Sequence, residues 1–226
     1  MAHPDDEVLW FSSILDKINK VVLCFQLKKG NEKLGKNRET VIQKYPLDTI
    51  LSLELYEANA YKEKHFIFPI PSKYGMILYN YKSHLRYKKN YHSLKQRLDT
   101  ILSNQKTVFT HNPWGEYGNE EHVQIYRVVK ELQKKYKYDL YFSNYVSTKS
   151  MKFAQKYIFK INYPYIVSKP NFQLTEKIKS LYQLNNCWTW TKDWTCYPEE
   201  IFLQDTIIHK NIHKYGHIVP LNLIKH

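Results

Sequence analysis

The chain has 226 residues, 43% of them hydrophobic and 24% charged. That length favours one domain of 1–226, and the composition provides enough apolar residues for a buried core. No stretch approaches the roughly 18 uncharged apolar residues that a membrane span needs. Three cysteines, Cys24, Cys187 and Cys196, are too few for a disulfide framework. The net charge is +13, from 34 Lys+Arg against 21 Asp+Glu, but the lysines are scattered and form no block of like charge. They reflect a bias toward Lys, Asn, Ile and Tyr, and no RRM, KH or zinc-finger signature accompanies them. No dedicated nucleic-acid site is therefore expected. Met1-Ala2-His3-Pro4 has neither a basic nor an apolar leader region, so a cytoplasmic chain is expected.

Short β-branched or aromatic runs alternate with longer periodic stretches, the pattern of βαβ units around a parallel sheet. Val21 to Phe25 reads as a buried strand. Leu47 to Tyr56 supplies either a short helix or a strand. Phe66-Ile67-Phe68 reads as a strand stopped by Pro69 and Pro71. Tyr91 to Leu102 reads as a helix, with Leu94, Leu98 and Ile101 on one face. Val108-Phe109-Thr110 is a strand ended by His111-Asn112-Pro113. Glu120 to Tyr136 is the best-defined helix: Ile125, Val128, Val129 and Leu132 recur at helical spacing. Asn119 sits at its N-cap, and Glu120 and Glu121 load its first turn. Leu140 to Phe142 and Tyr157 to Ile161 read as later strands, and Thr175 to Leu184 as a helix. From about residue 165 the chain becomes an aromatic-rich C-terminal extension, irregular from Asn186 on. The fold class is α/β, a three-layer sandwich with a mostly parallel, Rossmann-like sheet.

His3-Pro4-Asp5-Asp6-Glu7 places an imidazole and two neighbouring carboxylates within a few residues. Such donors suit zinc, and a catalytic zinc keeps one position open for water. Adjacent side chains diverge, so His3 and Asp6 can bind while Asp5 stays free as a base. The alternative is that Asp5 and Asp6 cap a helix over Val8 to Leu15.

Ala2-His3-Pro4-Asp5-Asp6-Glu7 resembles the opening signature of the LmbE-like, or PIG-L, N-acetylglucosaminyl deacetylases. Thr110-His111-Asn112-Pro113-Trp114-Gly115-Glu116-Tyr117-Gly118-Asn119-Glu120-Glu121-His122 resembles that family's second signature. The resemblance implies a metal-dependent amide hydrolase acting on an N-acetylated amino sugar or glycoconjugate. It implies His3, Asp6 and His122 as ligands to Zn2+, with Fe2+ another divalent ion the same donors suit. It implies Asp5 as general base and Tyr117 as the residue that polarises the substrate carbonyl. Arg38, before Glu39, is the nearest match to the family's substrate-binding arginine. His111 and Trp114 are further candidates for substrate contact. His122 shares a helix face with Ile125 and Val129 and so points inward.

Two departures from the family pattern stand out. Asn119 replaces a histidine expected to act as acid or oxyanion stabiliser, and asparagine cannot deliver a proton near neutral pH. Losing one oxyanion donor costs on the order of 100- to 1000-fold in rate. Asp5 would then carry both proton transfers, and Asn119→His should be faster. Only Met1 and Ala2 precede His3, where the family runs a central strand whose loss would leave neighbouring backbone groups unpaired.

The segment from Cys187 to Tyr197 carries Trp188, Trp190 and Trp194. It suits either packing or contact with a sugar ring. Cys187 and Cys196 with His209, His213 and His217 match no zinc template. Three functions stay in contention: deacetylase, catalytically weakened glycan-binding relative and, on charge alone, nucleic-acid binder.

Overall fold

A computed structural model describes residues 1–62, 64–158, 164–205 and 220–224. In chain order its elements are α1 (Asp6–Phe11), a 3-10 turn (Ser12–Ile14), β1 (Val21–Leu23), α2 (Glu32–Gln43), β2 (Ile50–Ser52), α3 (Lys64–Ile67), β3 (Pro71–Ser72), β4 (Gly75–Met76), α4 (Tyr81–Leu102), β5 (Thr107–Thr110), α5 (Glu120–Tyr136), β6 (Asp139–Ser143), β7 (Tyr145–Ser147), α6 (Met151–Ile158), β8 (Tyr165–Ser168), α7 (Phe172–Leu184), β9 (Glu200–Asp205) and β10 (Asn222–Ile224). The fold is mixed α/β with several parallel strand pairs, as the alternating pattern implied. The chain forms two compact units, residues 1–57 with 167–200 and residues 58–166 with 201–226.

In the first unit β1 and β2 run parallel, Val21 opposite Ile50 and Leu23 opposite Ser52. A Leu27–Tyr56 bridge continues the ladder, so the ambiguous segment from Leu47 is strand. Ahead of His3, the Met1 carbonyl accepts the Cys24 N–H at 3.0 Å and the Ala2 carbonyl accepts the Phe25 N–H at 2.7 Å. The terminal ammonium donates to the Val22 carbonyl at 2.6 Å. Two residues thus pair with the β1 segment as a strand would, and they satisfy backbone groups the sequence left in question. The core joins Val8, Val21, Leu23, Val41 and Tyr45 to Ile178, Tyr182 and Cys187. Residues of the aromatic C-terminal region therefore complete this core. Each fully buried aliphatic or aromatic side chain contributes about 1.5–3 kcal/mol.

In the second unit β5 and β6 run parallel, Val108 opposite Leu140 and Thr110 opposite Phe142. β9 adds antiparallel to β6, Leu203 opposite Phe142. β7 pairs parallel with β10. Helix α5 has the bounds its periodicity predicts, with Ile125, Val128, Val129 and Leu132 buried. Asn119 caps it by accepting the Glu121 N–H at 2.8 Å. Gly75 (φ 123°) lies against Tyr87, and a Cβ there would fall 2.3 Å from the phenol oxygen, so only glycine fits. The core gathers Phe66, Tyr87, Trp114, Tyr126, Phe142, Phe153 and Leu203.

Several expected elements differ. Phe66-Ile67-Phe68 is not a strand: residues 64–67 form one helical turn. Phe66 is buried against Phe153 while Phe68 is 71% exposed. His65 fixes that turn by pairing its Nδ1 with Glu120 at 2.6 Å and accepting the Tyr79 N–H at Nε2. Helix α4 begins ten residues before Tyr91, because Asn80 caps it and Tyr87 and Tyr91 extend its buried stripe. Helix α7 likewise starts at Phe172, capped by Asn171. Tyr157 and Ile158 belong to the end of α6, packed with Phe153 and Ala154 against the second core. Residues 159–161 of that expected strand lie outside the described residues. Among the described residues, no helix is long and apolar enough to cross a membrane.

Candidate active site

Each unit carries one of the two sequence motifs. In the first unit the chain leaves its pairing with β1 at Ala2 and turns at once into α1. Asp5 stands at the turn with φ 100° and makes no side-chain cap to the helix. A non-glycine residue in the left-handed region is strained, and such strain persists where surroundings hold it. Here the holding group is Thr189, whose N–H (2.8 Å) and hydroxyl (2.6 Å) both donate to Asp5 Oδ2. The helix-cap alternative thus fails for the Asp5 side chain. Asp6 Oδ2 accepts the His3 N–H at 2.7 Å and lies 3.1 Å from His3 Nδ1. Its Oδ1 accepts the Trp10 indole N–H at 3.0 Å. All three motif residues are buried.

The charge pattern follows from this burial. Burial raises Asp5 most and the Asp6 charge adds to it, while the Thr189 hydrogen bonds and the Arg38 charge oppose. The carboxyl ends at about 7, the range in which a general base works best at neutral pH. Glu7, beneath Asp5, is pushed by burial to about 7 against the hydrogen bond from Tyr182. Its Oε1 accepts both the Tyr182 and Tyr45 hydroxyls.

Arg38 is buried, with Nη1 2.8 Å from Glu57 and 3.1 Å from the Gln26 carbonyl. That placement makes it a brace between α2 and the chain after β2; substrate contact was the sequence expectation.

In the second unit the loop after β5 carries the other motif. Asn112 organises it. Its Oδ1 accepts the N–H groups of Trp114 (3.2 Å) and Glu116 (2.9 Å), and its Nδ2 donates to the carbonyls of Tyr145 (2.8 Å) and Ser143 (3.2 Å). Glu116, at φ 49°, turns its carboxylate back into this loop. Oε1 accepts the Asn112 N–H at 2.9 Å and the Ser143 hydroxyl. Oε2 lies 2.8 Å from His122 Nδ1 and 3.2 Å from His111 Nδ1. The two imidazoles stack, centroids 3.8 Å apart. Burial would raise Glu116, but the His111 and His122 charges and hydrogen bonds overcome it and hold the carboxyl at about 2. Ligand-type atoms of His111, Glu116 and His122 all lie within 4.8 Å of one another.

Tyr117 sets its ring edge-on to His122 at 5.4 Å. Asn119 Nδ2 donates to its phenol oxygen at 2.8 Å. Trp114 is fully buried, edge-on to Phe142, with its indole N–H on the Tyr145 carbonyl at 2.7 Å. That is a packing position, and a side chain so enclosed offers no face to a sugar.

Sequence reasoning missed Glu116, Ser143 and Thr189. Glu116 had a readable signal, a carboxylate six residues before a candidate ligand histidine. Thr189 had none, being 184 residues from Asp5 in sequence. In the aromatic segment, Trp190 packs edge-on against Trp10 and Trp188 against Trp194, so these rings contribute packing. Burial pushes the Cys187 thiol up to about 12, which disfavours a thiolate ligand. His209, His213 and His217 lie outside the described residues.

Residues 1–133 match the family PIG-L, GlcNAc-PI de-N-acetylase. The chain belongs to that family. Both motifs fall inside the matched segment, as the resemblance implied. No curated protein sequence matches the chain. Among solved structures it is similar to a deacetylase crystallised with teicoplanin, from the biosynthesis pathway of teicoplanin. The TM-score is 0.52 at 10% identity, over 90% of this chain and 96% of that one. At that identity the likeness establishes the deacetylase fold. The buried imidazole and carboxylate donors, His3 with Asp6 and His111 with Glu116 and His122, are the kind a divalent ion takes.

Proposed function

We propose that this PIG-L family chain is a metal-dependent hydrolase that removes the acetyl group from an N-acetylated amino sugar. His3, Asp6 and His122 would hold the ion, and Zn2+ suits that donor set. The observation that carries the reading is Asp5. It is buried and strained, its carboxylate makes no cap to α1, and it is raised to about 7.

A divalent ion held there would supply Lewis-acid polarisation of the amide and of a water. Thr189 occupies Asp5 Oδ2, which leaves Oδ1 to take the proton of the attacking water. Tyr117, whose phenol oxygen accepts from Asn119 Nδ2, would polarise the carbonyl oxygen. As the C–N bond breaks, Asp5 returns its proton to the departing nitrogen. Acetate and a free amine result. Asn119 supplies no proton, so Asp5 serves as base and then as acid.

Metal analysis, combined with acetate release from free, nucleotide-linked and lipid-linked N-acetylglucosamine, tests the proposal. Asp5→Asn should retain the metal and lose at least ~100-fold in rate. A protein that binds no divalent ion, or an Asp5→Asn variant of undiminished rate, would overturn it. If metal binds but no conjugate yields acetate, and Asn119→His restores none, the glycan-binding reading replaces it.

A further inference from the structure

The His111–Glu116–His122 cluster has two physical readings. Either Glu116 is itself a ligand to an ion within the cluster, or it stands behind His122 and orients it. The geometry favours the second. A carboxylate oxygen that coordinates an ion needs a lone pair turned toward it. Oε1 is already taken by the Asn112 N–H and the Ser143 hydroxyl. Oε2 faces Nδ1 of both histidines. The carboxylate is fully buried, and its backbone N–H and carbonyl are pinned by Asn112 Oδ1 and the Ser150 hydroxyl. A group anchored from so many sides is built to hold a neighbour in place.

We infer that Glu116 is a positioning residue that keeps the His122 proton on Nδ1 and so presents Nε2 as the ligand atom. This rests on the metal-binding role proposed for His122. The ring nitrogens of a neutral imidazole are one donor and one acceptor. A carboxylate only accepts, so Nδ1 must carry the proton, and the lone pair is left on Nε2. The His111 ring, stacked on His122 with centroids 3.8 Å apart, restrains rotation of the His122 ring. Ligating histidines commonly rely on such a carboxylate, and removing it costs 10- to 100-fold in metal affinity.

Two measurements test this. The first is nitrogen-detected NMR of the metal-free wild-type chain, above the pH at which imidazoles protonate. His122 should carry its proton on Nδ1; a proton on Nε2 overturns the inference. This readout needs neither a substrate nor a bound ion, so it stands even if metal binding fails. The second is Co2+ titration followed by absorbance, for wild type, His3→Ala, Glu116→Gln and Glu116→Asp. Glutamine would turn either its NH2 or a poorer acceptor toward Nδ1–H. Glu116→Gln should therefore bind Co2+ 10- to 100-fold more weakly, and Glu116→Asp should recover part of the loss. Unchanged affinity in Glu116→Gln overturns the positioning role while leaving the ligand assignment intact. Loss of binding in Glu116→Gln with His3→Ala unaffected would place the ion inside the cluster and overturn both.

Discussion

Replacing Asn112 by alanine tests the loop that presents the second motif. The side chain accepts two N–H groups, from Trp114 and Glu116, and donates to the carbonyls of Ser143 and Tyr145. Trp114 and Glu116 are fully buried, so both N–H groups would be stranded. A stranded buried donor costs about 1–3 kcal/mol, which gives about 2–6 kcal/mol for the pair. The Tyr145 carbonyl keeps its bond from the Trp114 indole, and a water entering the vacated space could recover part of the loss. We expect a decrease of about 3–4 kcal/mol, at the upper end for single substitutions. Urea unfolding of the metal-free protein measures it, with m unchanged if the unfolded state is unaffected. A decrease below about 1 kcal/mol would show that Asn112 does not hold the loop and that Glu116 is not rigidly anchored through it.

Other substitutions separate stability from chemistry. Asn119→Ala should cost about 1 kcal/mol through the lost cap, whereas Asn119→Asp should keep the cap and lose the donor to Tyr117, lowering rate more than stability. Asn119→His should gain rate if proton delivery limits turnover, at about 1 kcal/mol of stability; a variant both slower and less stable would count against that. Thr189→Val removes one hydroxyl hydrogen bond to Asp5 and should lower kcat by roughly 10-fold or more with little change in KM; Thr189→Ser should restore it, and failure of that rescue would point to simple misfolding. Glu7, ordinarily near 4.5, is raised to about 7 by burial. A carboxyl raised on folding stabilises the folded state below its unfolded value and loses that contribution as pH rises through 7. Metal-free protein should therefore lose stability between about pH 4.5 and 7, and Glu7→Gln should flatten that slope; an unaltered slope would refute the assignment.

What the sequence disclosed depended on whether a signal was local. Helix α5 was legible to the residue because cap, first-turn charge and apolar stripe all lie within one segment. The order and residue types of the two motifs were legible for the same reason. Phe66-Ile67-Phe68 was misread because three apolar residues carry no period, and a pairing of His65 with Glu120, 55 residues away, decides the matter. The start of α4 was missed because tyrosines, half polar, do the burying at Tyr87 and Tyr91.

The same distinction governs the site. His3, Asp5, Asp6 and His122, the residues proposed as ligands and base, belong to short motifs. Sequence reasoning missed the groups that give them direction. Asp5 is held through Thr189, beyond the family match at 1–133. His122 faces Glu116, whose own anchors are Asn112, Ser143 and Ser150. A motif therefore specifies which atoms can react, and contacts remote in sequence specify which lone pair or proton each one offers. On the proposed roles, in which neither Thr189 nor Glu116 is a ligand or base, substitutions there should change rate or metal affinity more than their effect on folding would explain.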